Sequence, residues 1–199
     1  MNKLIEIDQQ WLLSINGAHT VWLDQLFWYI SQAWVWIPLY AFIILLLIKQ
    51  FGWRKGLLCV LALVAAVGLS DYISSGIIKP LVCRPRPTHE PALAGLVHVV
   101  KGYVGGLYGF VSSHAANTFS LAMVFGLIWQ EKNSHGWWLL LYVIMNCYSR
   151  MYLGVHYPGD IIGGLLVGGI IALSVYGLYR WMSGKLPAGD AVCSQPDAP

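Results

Sequence analysis

Apolar residues run in long, nearly unbroken stretches along this chain, and polar ones gather in short clusters between them. About twenty apolar residues are needed to cross a bilayer core as a helix. Stretches near 32–49, 56–78, 113–130, 137–150 and 160–182 approach that length and predict membrane-spanning helices. The fourth is short, but Trp137 and Trp138 at one end and Tyr148 at the other favour the membrane interface, and local thinning of the bilayer makes up the difference. Residues 1–31 follow another pattern. Trp11, Trp22 and Trp28 are interspersed with acidic and amide side chains, which suits amphipathic helices lying in the interface and broken at Asn16-Gly17; a sixth crossing stays open there. The expectation is an all-α, polytopic membrane bundle of five or six transmembrane helices with an interfacial N-terminal helix, forming one domain over residues 1–183. Gly159, Gly163, Gly164, Gly168 and Gly169 put small residues four apart in the last run, so a neighbouring helix can approach closely there. Residues 184–199, with Pro187, Gly189 and Pro196, predict a flexible polar tail.

Composition sharpens this picture. The 199 residues are 57% hydrophobic and 11% charged and include ten tryptophans, far from the average soluble domain. The net charge of +3 is small and dispersed, and no basic tract could track a phosphate backbone, which argues against a nucleic-acid partner. Cys59, Cys83, Cys147 and Cys193 lack metal-ligand spacing, so neither zinc nor a disulfide framework is expected. Glu6, Asp8, Gln9 and Gln10 interrupt the apolar character that a cleaved signal would need. In the five-span arrangement Lys49, Arg54, Lys55, Lys132, Arg180 and Lys185 fall on one side, which predicts a cytoplasmic face. Lys3, Lys79, Arg84, Arg86, Lys101 and Arg150 load the other side equally. The tie breaks only if the second group binds a ligand rather than setting topology.

Three polar islands carry candidate chemistry. In the last, Arg150 precedes His156, and Asp160 follows it by four residues with Pro158 between, where a helix could begin. The carboxylate could hold one ring nitrogen and leave the other free as nucleophile or base, while the arginine fork suits phosphate oxygens. In the first, Lys79, Arg84 and Arg86 lie among Pro80, Pro85 and Pro87, which stiffen the segment. Asp71, Ser75 and Lys79 share a face at four-residue spacing, and an aspartate in an apolar run is expected to face the bundle interior and support the site. The middle island, Ser112-Ser113-His114, offers a helix N-cap, free backbone N–H groups for an anion, and a general acid. Taken singly, each island has a bland explanation as snorkelling cations, a serine cap or a self-satisfied His and Asp. Together, on one side of a membrane, they point to phosphate chemistry.

The set Lys79-x6-Arg86-Pro87, Ser112-Ser113-His114 and Ser149-Arg150-x5-His156-x3-Asp160 resembles the three signatures of the type 2 phosphatidic acid phosphatase (PAP2) superfamily, over residues 70–165. That resemblance implies a lipid phosphatase in which His156 forms a phosphohistidine, Asp160 orients it and His114 protonates the leaving group. It further implies that Lys79, Arg86, Ser112 and Arg150 bind the phosphoryl oxygens, with the Ser113 backbone N–H contributing. No metal or other cofactor is implied, and the expected partners are a lipid phosphate and the bilayer, with no obligate protein partner. The family's usual Pro-Ser-Gly-His is Val111-Ser112-Ser113-His114 here, and serine in place of glycine is expected to restrict the backbone of the phosphate cradle. Small members act on undecaprenyl diphosphate, phosphatidylglycerol phosphate, phosphatidic acid or lipid A phosphates. The short chain and its Ser-Ser-His variant also resemble the lipid A 4'-phosphatase branch. The implied location is a bacterial inner membrane, with the site on the periplasmic or outer face. Arg84, His89, His98, Lys101, Tyr103 and Tyr108 lie between the first two islands as candidates for head-group selection. A phosphotransferase with the same nucleophile and a small ion-coupled transporter using Asp71 are the alternatives.

Overall fold

The computed structural model describes residues 3–132 and 136–185. Most of the predicted tail, including Cys193, lies outside them. Among the described residues the chain is helical, with no strand beyond an isolated bridge between Pro85 and Tyr108. The helices are α1 (Lys3–Gly17), α2 (Val21–Ile30), α3 (Ile37–Asp71), α4 (Lys79–Val82), α5 (Ser113–Trp129), α6 (Leu139–Tyr152) and α7 (Pro158–Ser183). Two helical stretches, Ala33–Val82 and Pro158–Ser183, are long and apolar enough to cross a membrane.

The first of these is bent back on itself. Gly52 has φ 76° and ψ 169°, a left-handed backbone that glycine adopts without steric cost. The break divides α3 into arms over 37–51 and 53–71, and Gly56 lies so close to the first arm that a Cβ there would meet the Ile48 Cα at 2.8 Å. The two runs predicted over 32–49 and 56–78 are therefore the arms of a hairpin. Helix α3 then continues into a wider π-helical turn over Tyr72–Ile78, where the Lys79 N–H reaches back to the Ser74 carbonyl. Pro80 explains the change: it has no N–H to continue the ladder, and its ring crowds the carbonyl four residues before it.

Helices α5, α6, α7 and the α3 hairpin enclose the main core, which includes Ile43, Leu63, Phe125, Val143 and Val175. The α5–α7 contact is set by glycines. A Cβ on Gly164 would lie 2.5 Å from the Ser112 carbonyl oxygen, and one on Gly168 would lie 2.5 Å from that of Ala116. The small residues predicted to let a neighbour approach thus bring the start of α7 against the start of α5, which fixes Asp160 beside Ser112. The Ser112 N–H donates to the Asp160 carbonyl at 2.9 Å.

The N-terminal break falls just after Asn16-Gly17; α1 docks on α6 and α7, and α2 on α6. Asn16 is fully buried and acts as a clamp. Its amide donates to the carbonyls of His98 and Tyr152 at 2.9 and 2.8 Å, and its Oδ1 accepts the His98 N–H at 2.7 Å. Three parts of the chain far apart in sequence are held by one side chain.

Candidate active site

The C-terminal end of the α3 arm, the N-terminus of α5, the C-terminus of α6 and the N-terminus of α7 meet at one end of the bundle, and the three polar islands meet with them. Helix α7 begins at Pro158, whose fixed φ suits the first helical position. Asp160 is in that first turn and is fully buried. Its Oδ2 accepts the Tyr157 N–H at 3.1 Å and lies 3.3 Å from Nδ1 of His156. With a proton on Nδ1 this contact holds the ring against the carboxylate and turns Nε2 away from it. Burial, then the cations Arg86, Arg150 and Lys79, hold the His156 pKa well below the ordinary histidine value. The ring is a neutral base in a positive surround.

Arg86 and Arg150 are 8% and 2% exposed. Arg86 Nε donates to the Tyr108 carbonyl at 3.1 Å, and Arg150 Nη2 donates to the Tyr103 hydroxyl at 2.8 Å. Arg86 Nη1 and Arg150 Nε are nevertheless buried without a partner. A buried donor left unmatched costs about 1–3 kcal/mol, so such atoms call for a functional account. Gly105, at φ 69°, makes room for the Arg86 guanidinium, because a Cβ there would overlap Nη1. Burial pushes the Tyr103 phenol up, yet Arg150 and Arg86 outweigh it and leave its pKa below the usual value.

Lys79 Nζ donates to Ser113 Oγ at 2.8 Å, and Ser75 and Ser113 share a hydrogen bond of 2.7 Å. Ser113 is the first residue of α5, a position any L-residue occupies without strain, and Ser112 caps the helix by accepting the Ala115 N–H. The narrower backbone range of serine is compatible with this helical position, and its hydroxyl, which glycine lacks, holds Lys79 in place. His114 follows Ser113 in the first turn of α5. Asp71, Ser75 and Lys79 do share a face, directed at α5, but Asp71 is exposed rather than interior and accepts from Asn117 Nδ2 at 3.1 Å. It lies on the outer surface of the bundle instead of in its core.

The structure therefore gathers Lys79, Arg86, Ser112, Ser113, His114, Arg150, His156 and Asp160 at one place. The loop residues proposed for head-group selection behave differently. Tyr103 reaches the cations, whereas Arg84 is consumed by Asp160 and Asp8 at 2.9 and 2.6 Å, and His98 pairs with Asp24 at 2.9 Å. Lys101 lies over the rings of Trp28 and Tyr29, and His89 contacts Thr88. Asp8 was missed in the sequence, where it reads with Glu6 only as a polar interruption of an amphipathic helix. Among the described residues no three His, Cys, Asp or Glu side chains have metal-ligand geometry.

A cavity of about 620 Å³ lies beside the site, between the α3 arms, α5 and α6. Tyr40, Ile43, Leu63, Leu121 and Tyr142 make it largely apolar, and His114 is part of its wall.

Residues 56–183 match the PAP2 superfamily. The chain is 34% identical to the lipid A 4'-phosphatase of Bacteroides thetaiotaomicron over 194 residues, covering 95% of this chain and 84% of that protein. It is 35% identical to the lipid A 4'-phosphatase of Porphyromonas gingivalis, covering 94% and 81%. The crystal structure of Aquifex aeolicus LpxE is similar at a TM-score of 0.63 and 25% identity, over 85% of this chain and 94% of that one.

Proposed function

The chain belongs to the PAP2 superfamily, and on that premise we propose that it removes a phosphate from a bilayer-bound lipid through a phosphohistidine on His156, with lipid A 4'-phosphate as the leading substrate. It is a phosphoric ester hydrolase, which sets aside the ion-coupled transporter. The observation that carries the reading is the pair of buried guanidinium nitrogens without partners, Arg86 Nη1 and Arg150 Nε, on the same side of the molecule as the Asp160-held ring of His156. A phosphoryl group supplies the acceptors that both nitrogens lack.

In this mechanism Lys79, Arg86, Arg150, Ser112 and the Ser113 N–H cradle the phosphoryl oxygens. Charge spread over those oxygens in the transition state is met by donors that are already fixed. Nε2 of His156 attacks phosphorus, and the bond from phosphorus to the lipid oxygen breaks as His114 gives that oxygen a proton. Asp160 stabilises the imidazolium character that develops on Nδ1. Water, deprotonated by His114, then attacks the phosphohistidine; the P–N bond breaks and inorganic phosphate leaves. The lipid's hydrocarbon would occupy the apolar cavity walled in part by His114, with its head group at the cations.

The chain would act as one domain over residues 1–183, with five crossings (the two α3 arms, α5, α6 and α7) and α1 and α2 lying in the interface. Exposed Trp11, Trp22 and Trp34 support that placement of the N-terminal part. The catalytic end would face the periplasm of a bacterial inner membrane. A panel of purified lipid phosphates, scored by kcat/KM with one enzyme preparation, tests the substrate: lipid A 4'-phosphate should lead. Preference for undecaprenyl diphosphate would move the assignment to a polyprenyl substrate, and transfer of the phosphoryl group to an added lipid acceptor in place of water would make it a phosphotransferase.

A further inference from the structure

We infer that Asp8 on α1 and Arg84 form a positioning pair for the nucleophile, so that the docked N-terminal helix is part of the catalytic apparatus; this rests on His156 being that nucleophile. By sequence Arg84 is a candidate for head-group selection, two residues from Arg86 in a cation-rich segment. Its geometry says otherwise. Nη1 donates to Asp160 Oδ1 at 2.9 Å, Nη2 donates to Asp8 Oδ2 at 2.6 Å, and the guanidinium lies 4.1 Å from the centre of the Tyr157 ring. Both forks are occupied by carboxylates and one face by an aromatic ring. Arg86 and Arg150, in contrast, each retain a nitrogen with no partner.

The consequence falls on Asp160. A fully buried carboxylate has lost its hydration and must recover it from fixed donors. Arg84 serves Oδ1, which leaves Oδ2 for the His156 ring and the Tyr157 N–H. Without Arg84, Oδ1 has no donor, and the carboxylate is free to turn or take up a proton. Either change releases the imidazole from the tautomer that exposes Nε2.

Asp8 closes the circuit. Its Oδ2 balances Arg84, and its Oδ1 accepts the Gly159 N–H at 2.7 Å, in the same helical turn that carries Asp160. Gly159 is needed at this contact, since a Cβ there would lie 2.9 Å from Asp8 Oδ2. Asp8, Arg84, Asp160 and the start of α7 thus form a closed ring that locks when α1 docks.

The test is steady-state kinetics of the detergent-solubilised full chain, with inorganic phosphate as competitive inhibitor and acid-quench trapping of the phosphoryl-enzyme. Arg84→Gln should lower kcat on the order of 100-fold, as expected for a misaligned nucleophile, with KM and the phosphate inhibition constant changed less than about twofold. Asp8→Asn should lower kcat about tenfold, and the double variant should be no worse than Arg84→Gln alone, because Asp8 acts through Arg84. A phosphate inhibition constant that weakens in step with kcat would make Arg84 an anion ligand and overturn the proposal, as would multiplicative losses in the double variant. Should Asp8→Asn or Arg84→Gln not fold, Arg84→Lys carries the test: it keeps the cation but cannot bridge two carboxylates, and unchanged kcat in it would overturn the pair. Absence of a phosphoryl group on His156 in the wild-type enzyme would sink the nucleophile reading instead. A trapped phosphohistidine together with undiminished kcat in the Asp8 and Arg84 variants would sink the positioning pair alone.

Discussion

Both ends of this helical bundle carry lysines and arginines, and they treat them in opposite ways. At one end Lys55, about a third exposed, meets Glu131 at 3.1 Å, Lys132 caps the Gln50 carbonyl, and Lys49, Arg54 and Arg180 lie in the open. At the other end Arg86 and Arg150 are almost wholly enclosed, each with a buried nitrogen to spare, and Lys79 is held by a serine. The first set is hydrated or singly paired, which costs little and gains little. The second set has given up water without a full set of protein partners, a deficit that a bound anion would complete. Cations of the same chemical type therefore differ in what enclosure leaves unsatisfied, and counting basic residues along the chain could not separate them.

The largest effect is expected at His156, the proposed nucleophile. His156→Ala should cut kcat by about 10⁴-fold or more with the thermal transition retained, measured as phosphate release and as unfolding in the same detergent; near-normal turnover would remove His156 from the chemistry. Next in size is Arg150→Lys, which keeps the charge and loses the planar fork. It should lower kcat/KM by about 10²-fold, the scale of losing a fixed transition-state donor. A loss no larger than that in Arg54→Lys would erase the distinction between the two ends.

A smaller effect is electrostatic. With the site empty, burial and the three cations keep His156 unprotonated through pH 6.5, so its ring resonances should not titrate there by nitrogen NMR. Arg150→Gln, which removes one of those cations, should move the midpoint upward. The sign for stability follows: below pH 6.5 the unfolded chain binds a proton at this residue that the folded chain refuses, so stability declines as pH falls through that range. A wild-type midpoint at the ordinary value would mean that the cations do not face the ring. Smallest is Lys55→Ala at the opposite end, expected to change kcat/KM by less than about twofold and stability by less than about 1 kcal/mol.

Much of this protein was legible along the chain. Apolar run lengths located the arms of α3 and helices α5, α6 and α7, because covering a nonpolar helix surface demands consecutive nonpolar residues whatever the tertiary packing. Pro158 marked the start of α7, and the four-residue spacing of glycines marked the surface that meets α5, since both act through local backbone geometry. The residues of the three islands were nameable because their chemistry resides in side-chain type and close spacing.

Direction and partnership were not legible. Arg84 and Arg86 stand two apart in one proline-rich segment, yet one closes on Asp8 and Asp160 while the other keeps a free donor. Asp71 looked interior and is exposed, paired with Asn117; Ser113 looked like a constraint and also anchors Lys79. Asp8 gave almost no sign of its place 76 residues from Arg84 and 151 from Gly159. The physical reason is range. Hydrophobic periodicity and caps are set by neighbours in sequence, whereas the partner of a charged side chain is whichever group the packed helices bring within about 3 Å of it, and that is decided only when the bundle closes.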